Sequence, residues 1–232
     1  MRLFSIFILS RLTVSKIISS LFLLTLLFNM ELSMAKPKST QVKFDLSGNS
    51  ISFLSPLNYS KDFPAPTKNK YLLNIYDKSI YTDSDNTRVI RQSHWDYGKG
   101  LFFGKVKGTL SMTVVLYHTN QEKLDLKNHE NFVEALKLDF EKANSKQDIV
   151  DFGIEVPLEY SIKELNGTSW GHYEYFVDGS KKISYTLALS DQHYLKINFN
   201  FINNSHTEKN DWKEQAEITI KDIMSSFEYH KL

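Results

Sequence analysis

Four runs of alternating apolar and polar residues follow one another between residues 158 and 202, and they constrain the fold more than any other feature. Asn166-Gly167 and Asp178-Gly179 separate the first three runs, and both dipeptides favour the tight turns that join antiparallel strands. A polar turn at residues 190–193 separates the last two runs. The pattern predicts a four-stranded antiparallel meander, with strands at residues 158–165, 169–177, 182–189 and 194–202.

Further strands are predicted before the meander. Apolar residues alternate on both sides of Ser47-Gly48, which indicates a hairpin over residues 42–53. β-Branched and aromatic residues are frequent in strands, and they predict three more, at residues 71–76, 101–106 and 109–118.

The apolar period changes to that of a helix in two places. Between residues 128 and 146, Phe132, Leu136 and Phe140 share one helical face, and Asn128 is placed to cap its start. The second helix begins near the capping sequence at residues 205–208, and its apolar stripe consists of Trp212, Ala216, Ile220, Ile223 and Phe227. Helices with such stripes need a sheet to cover them. The sequence therefore predicts a single α+β domain over residues 36–232, with helices packed on one central antiparallel β-sheet.

The N-terminus has the order of a secretory signal peptide over residues 1–35. Arg2, Arg11 and Lys16 precede an apolar run at residues 17–28, and small residues precede the expected cleavage site after Ala35. The alternative is an uncleaved anchor, but this run has 12 residues whereas a spanning helix needs about 20. We expect a mature chain that starts at Lys36 and has no stable membrane insertion.

Charge and cysteine content narrow the function. The net charge is +1, with no basic excess of the kind that binds nucleic acid. The chain contains no cysteine, which excludes disulfides, thiolate metal sites and cysteine nucleophiles. An exported chain without disulfides is more typical of a bacterium than of a eukaryotic secretory pathway. We therefore expect a periplasmic or secreted bacterial protein.

Catalytic motifs are sparse. The sequence has no phosphate-binding loop, dinucleotide fingerprint, zinc-protease motif or nucleophile elbow. Ser169 or Ser184 could form a catalytic triad with a histidine and an aspartate. Because neither serine lies in a nucleophile-elbow motif, the sequence does not predict a hydrolase. No catalytic residue and no cofactor is predicted.

Two aromatic clusters carry the candidate metal ligands His94, Asp96, His172 and Glu174. Two imidazoles and two carboxylates suit zinc or a similar cation if the fold brings them together. The competing interpretation is that the neighbouring tryptophans pack under a helix while these polar groups face solvent. On the strand after Asn166-Gly167, Trp170, His172 and Glu174 are expected to share one face.

A candidate partner-binding face lies on the last two strands of the meander. Leu195, Ile197, Phe199 and Phe201 alternate with polar residues and are expected to point into the core. The opposite face is expected to be uncovered, either as a plain solvated surface or as a docking site formed by Thr186, Lys196, Asn198 and Asn200.

The order of elements resembles the PsbP-like family of exported bacterial proteins. The resemblance rests on a late strand (YLKINF, residues 194–199) followed by a helix that ends in a Ser-Phe pair (IMSSF, residues 223–227). It implies an α/β/α sandwich used chiefly for binding or assembly. Fold alone does not fix function, so the resemblance leaves the partner open.

These observations favour a non-enzymatic envelope protein that binds another envelope or secreted protein. It would act as an accessory factor or as an immunity-type inhibitor of a secreted toxin. The alternative is a metal- or small-molecule-binding protein that uses the His/Asp/Glu cluster.

Overall fold

A computed structural model describes residues 37–82, 86–98, 106–119, 126, 128–144, 146–204 and 211–231. The expected signal peptide, its cleavage site and the strand predicted at residues 101–106 lie wholly or mostly outside these residues. With the exception of Pro37, the described residues belong to one compact unit, Lys38–Leu232.

The described elements are eleven strands and three α-helices. The strands before the first helix are β1 (Ser39–Leu46), β2 (Asn49–Pro56), β3 (Lys70–Leu73), β4 (Thr87–Tyr97) and β5 (Gly108–His118). The helices are α1 (His129–Ala143), α2 (Lys146–Asp151) and α3 (Asp211–Ser225). The remaining strands are β6 (Ile154–Glu155), β7 (Tyr160–Leu165), β8 (Thr168–Val177), β9 (Ser180–Ala188), β10 (His193–Asn203) and β11 (Glu228–Lys231).

The smaller sheet has four strands in the order β11-β2-β1-β3. β1 and β2 form the predicted hairpin, and both turn residues have positive φ, 53° at Ser47 and 90° at Gly48. Such a pair matches the twist of a two-residue hairpin, and glycine adopts this backbone region without a steric penalty. β3 pairs with β1 in parallel, and β11 pairs with β2.

The larger sheet has seven strands in the order β4-β5-β10-β9-β8-β6, and β7 also pairs with β8. The meander β7-β8-β9-β10 is confirmed as antiparallel throughout. Positive φ values occur at Asn166-Gly167 (51° and 71°) and at Asp178-Gly179 (48° and 67°), where turn residues were predicted.

The inner face of the larger sheet, defined by Leu195, Ile197 and Phe199, packs into the main core. The smaller sheet and the apolar stripe of α3 belong to the same cluster, as Phe44 and Ile223 illustrate. Burial of this continuous apolar surface is the main force that holds the two sheets together.

The outer face, defined by Lys196, Asn198 and Asn200, carries a second apolar cluster. Helix α1 packs there through Phe132, Leu136 and Phe140, together with Tyr173 and Tyr194 of the sheet. Asn128 caps this helix as expected, because its side chain accepts hydrogen bonds from the backbone N–H groups of residues 130 and 131.

The predicted fold class is wrong. The described chain is a β-rich fold with two large sheets, and not one central sheet with helices packed on it as in an α+β or α/β/α sandwich. The sequence failed to show that the hairpin at the N-terminus builds a separate sheet, because that sheet is completed by β11, a strand of four residues.

Two local predictions also need correction. β4 was not predicted, although it is eleven residues long. Phe227 was expected within the terminal helix, but α3 ends at Ser225 and Phe227 follows it. Phe227 is nevertheless buried and stacks on Phe53, with 4.6 Å between ring centroids.

Candidate functional site

The structure does not bring the four candidate metal ligands together. His94 and Asp96 lie on β4, and His172 and Glu174 lie on β8. Four strand spacings separate β4 from β8, which corresponds to about 19 Å.

The two pairs also lie on opposite faces of the larger sheet. His94 pairs with Ser111, which pairs with Asn200 on the outer face. His172 pairs with Tyr185, which pairs with Ile197 on the inner face. The predicted metal site is therefore wrong. Within the described residues, no group of three or more His, Cys, Asp or Glu side chains is arranged to hold a metal ion.

His94 is instead part of an aromatic contact. Its ring stacks on Phe63, with 4.1 Å between centroids and 14° between planes. Burial lowers the pKa of His94, and the nearby Asp96 carboxylate opposes this shift. The stacked ring packs against the loop between β2 and β3, in which Tyr59 forms an isolated bridge with Trp95 of β4.

The expected partner-binding face is largely covered. Thr186 is buried, and Lys196 is only 6% exposed, so the prediction that this face is open is wrong at both residues. Lys196 Nζ donates to Asp139 Oδ2 of helix α1 at 2.7 Å. Asn198 and Asn200 are half-buried, and Asn198 Oδ1 accepts a hydrogen bond from Ser184.

An open groove of about 450 Å³ lies at the β6-β7-β8 end of the larger sheet. This size is within the usual range of ligand sites. Two of the sequence candidates, His172 and Glu174, line it. The full lining consists of Glu155, Val156, Leu158, Glu159, Ser161, Lys163, His172, Glu174, Tyr175 and Phe176.

His172 forms the buried floor of the groove. Its Nε2 lies 3.1 Å from Lys163 Nζ and 3.4 Å from Glu174 Oε1. Burial and the Lys163 ammonium lower the pKa of His172 to about 4, and Glu174 does not outweigh them. The ring is therefore neutral at pH 7. The ammonium is a donor only, so this network assigns the lone pair to Nε2 and the proton to Nδ1.

Glu174 is held by a second set of charges. Lys181 Nζ lies 3.1 Å from Glu174 Oε2 and 3.0 Å from Glu217 Oε1 of helix α3. Lys163, His172, Glu174 and Lys181 thus form one connected set of polar contacts at the floor of the groove.

The rim of the groove consists of the last residue of β6 and the connector from β6 to β7. It reads Glu155-Val156-Pro157-Leu158-Glu159, in which Pro157 is buried and the other four residues are exposed. Leu158 is fully exposed, which is unusual for a leucine beside a binding-sized cavity. Glu155 and Glu159 form no ion pair with another described residue.

Among the described residues that line the groove, no side chain is arranged as an activated nucleophile. Ser161 lies opposite His172 on the neighbouring strand, but no hydrogen bond joins the two side chains. The hydroxyls of Ser169 and Ser184 bond to Glu164 and Asn198, respectively, and not to a histidine. A nucleophile of the serine hydrolase type needs a base within hydrogen-bond reach, so these contacts give no support to hydrolysis.

Sequence reasoning missed the rim. The available signal was the pair Val156 and Leu158 around Pro157, but Leu158 was assigned to the first strand of the meander, whereas β7 begins at Tyr160. Val150 and Phe152, in and just after α2, are exposed apolar residues as well, at 75% and 60%. Four exposed large apolar side chains therefore occur between residues 150 and 158.

These features define the class of the molecule as a β-rich, two-sheet domain with an open groove that is apolar and acidic at its rim. Comparison with protein-family models and with curated proteins finds no match. None of the helices in the described ranges has the length and apolar character needed to cross a membrane.

Proposed function

We propose that this chain is an exported, non-enzymatic bacterial envelope protein that binds another protein, as an accessory factor or as an immunity-type inhibitor. The observation that carries the proposal is the exposed apolar rim, Val156 and Leu158, beside Phe176 of β8. Exposed apolar clusters with a polar surround are typical of interaction sites.

The free edge of β7, beside the groove, favours a protein as the partner. No other described strand pairs with the outer edge of β7. Its backbone N–H and C=O groups are therefore placed to bond an added extended segment, which is a common mode of peptide recognition.

Site-specific crosslinking in the cells that make the protein tests the proposal. A photoreactive benzoylphenylalanine at position 158 should give an adduct with one other polypeptide. Leu72 is the matched control, because it is a leucine that is 77% exposed but lies on β3 in the smaller sheet. Absence of an adduct from position 158, or the same adducts from both positions, would contradict protein binding at the groove.

A second candidate function is binding of a small organic molecule in the same groove, which its volume of about 450 Å³ favours. Native mass spectrometry of protein from its own cells should then show a retained small-molecule mass. That mass should disappear in Phe176→Asp while the variant keeps its melting temperature.

A further inference from the structure

The charges around the groove identify the chemistry of its ligand. On the floor, Lys163 is bound to His172, and Glu174 is bound to Lys181. At the rim, Glu155 and Glu159 are exposed and form no ion pair with any other residue that the structure describes. Lys163 keeps its positive charge, because the neutral His172 ring does not compensate it, but Glu155 and Glu159 outweigh it, so the net charge left for a ligand is negative.

The apolar residues stand between these two charges. Val156 and Leu158 are 55% and 104% exposed, and the buried Pro157 joins them. Pro157 has a fixed φ and no N–H, so it limits the freedom of the connector. A ligand that covers both apolar side chains is brought beside both carboxylates.

An anionic ligand is disfavoured by the same arrangement. It would have to use Lys163, whose ammonium already contacts the Nε2 lone pair of His172. It would also approach the two unpaired carboxylates of Glu155 and Glu159, and Lys163 is the one lysine of the described lining that could offset them. Like charges at a contact reduce affinity and slow association.

We infer that the groove binds a basic segment of a second protein, with apolar side chains on Val156, Leu158 and Phe176 and with lysine or arginine beside Glu155 and Glu159. This inference rests on the proposed function and specifies its partner. The apolar contacts supply affinity, and the carboxylates select the sign of the ligand's charge.

Model peptides test the charge preference directly. Short capped peptides that alternate leucine with lysine should shift the NMR signals of the Val156 and Leu158 methyl groups and of the His172 ring. Peptides that alternate leucine with glutamate, or serine with lysine, should bind at least about tenfold more weakly. Equal binding of the glutamate peptide overturns the charge argument, and equal binding of the serine peptide overturns the apolar one.

A charge-reversed variant of the protein provides a second test of the charge preference. Glu155→Lys with Glu159→Lys should weaken the leucine–lysine peptide by about tenfold or more at low salt, with a smaller effect at about 0.5 M salt. Asp62→Lys with Asp222→Lys is the matched control, because both residues are exposed and lie outside the groove lining. An equal loss in the control overturns the inference.

Two outcomes separate this inference from the proposed function. A protein adduct at position 158 without binding of the lysine peptide leaves the proposed function standing and overturns the basic partner. Concentration-dependent dimers in sedimentation that Leu158→Asp abolishes would show that a second copy of the chain occupies the groove, which also overturns it.

Discussion

Lys196 Nζ lies 2.7 Å from Asp139 Oδ2, and this ion pair is enclosed between helix α1 and the outer face of the larger sheet. Tyr194 donates to the other carboxylate oxygen at 2.9 Å, and the rings of Tyr117 and Tyr173 each lie 5.4 Å from the ammonium. Burial acts to lower the pKa of Lys196, but Tyr173, Asp139 and Tyr117 outweigh it and raise the pKa well above its usual value. Lys196 therefore keeps its charge, and its contact with Asp139 ties α1 to the outer face of the larger sheet.

Loss of either partner of this pair should be costly. Lys196→Met or Asp139→Asn leaves one buried charge uncompensated, and each should lower the free energy of unfolding by about 3 to 5 kcal/mol. Urea denaturation measures this loss. The double variant Lys196→Met with Asp139→Leu should recover most of it, since no charge then remains buried. Lys137→Ala, which breaks an exposed pair of 3.9 Å, should cost less than about 0.5 kcal/mol.

Stability should fall as the pH drops from about 6.5 to about 4. Burial is the largest cause that lowers the pKa of His172 and of His193 to about 4, whereas an unfolded histidine titrates near 6.5. Between these values the unfolded chain binds more protons, so this stabilisation is complete above pH 6.5 and is lost towards pH 4. The loss is on the order of 3 kcal/mol for each histidine.

Urea midpoints at pH 7 and at pH 4.5 measure this dependence. His193→Gln should reduce the dependence of the unfolding free energy on pH. His230→Gln, at an exposed position, should leave that dependence unchanged. A slope unchanged by His193→Gln would show that other groups cause the loss.

The charge partners of His172 should shift its titration in opposite directions. Lys163→Gln removes the neighbouring ammonium and should raise the pKa of His172, whereas Glu174→Gln should lower it further. The His172 ring signal, followed by NMR against pH, gives both values. Lys221→Gln, an exposed change on α3, should have no effect.

Gly171 allows α1 to approach the sheet closely. A Cβ atom there would lie 2.6 Å from Leu136 Cδ1, which is too close for any real contact. Gly171→Ala should therefore destabilise the fold by about 1 to 3 kcal/mol. Leu136→Ala creates space at the same point, so the double variant should be more stable than the sum of the two single effects predicts. If the two single effects on thermal stability simply add in the double variant, Leu136 of α1 does not contact Gly171.

Phe227 should be a main anchor between the sheets. Besides its stack on Phe53, its ring lies edge-on to Trp170 with 5.2 Å between centroids. Phe227→Ala should cost about 3 to 5 kcal/mol. Ile218→Ala, at a 60% exposed position of α3, should leave the melting temperature nearly unchanged.

The meander could be predicted because its signals are local. Asn166-Gly167 and Asp178-Gly179 specify turns within two residues, and the alternation then fixes which side chains share a face. Trp170, His172 and Glu174 were correctly placed on one face for this reason. Likewise, the core positions of β10 followed from alternation alone.

β4 escaped prediction because its alternation is interrupted. The register shifts between Val89 and Arg91, so the residues on either side of this irregularity do not keep one period. Arg91 is also only 3% exposed, which no pattern rule expects of an arginine. Its guanidinium donates to the backbone oxygen of Lys68 at 2.7 Å and to the Tyr59 hydroxyl at 2.9 Å, partners that are distant in sequence.

Burial of Lys196 was unpredictable for a related reason. A strand pattern shows that a lysine points away from the core, but it does not show which distant segment returns to cover that face. Here α1 does so, and Asp139 is 57 residues away along the chain. The groove was equally hidden, because no local pattern shows that the segment before β7 lies beside His172 of β8.

The pairing of β11 with β2 determines when the smaller sheet can be completed. Ser52 donates to Glu228 across 176 residues of chain, so the loop closed by this contact contains most of the protein. Closure of so long a loop is entropically expensive and slows folding. β1 and β2 are made early, but they cannot complete their sheet until Glu228–Lys231 has followed. In the export proposed above, with the N-terminus crossing first, the smaller sheet would stay incomplete until β11 has crossed. Its resistance to proteases would then be acquired only after nearly the whole chain has crossed.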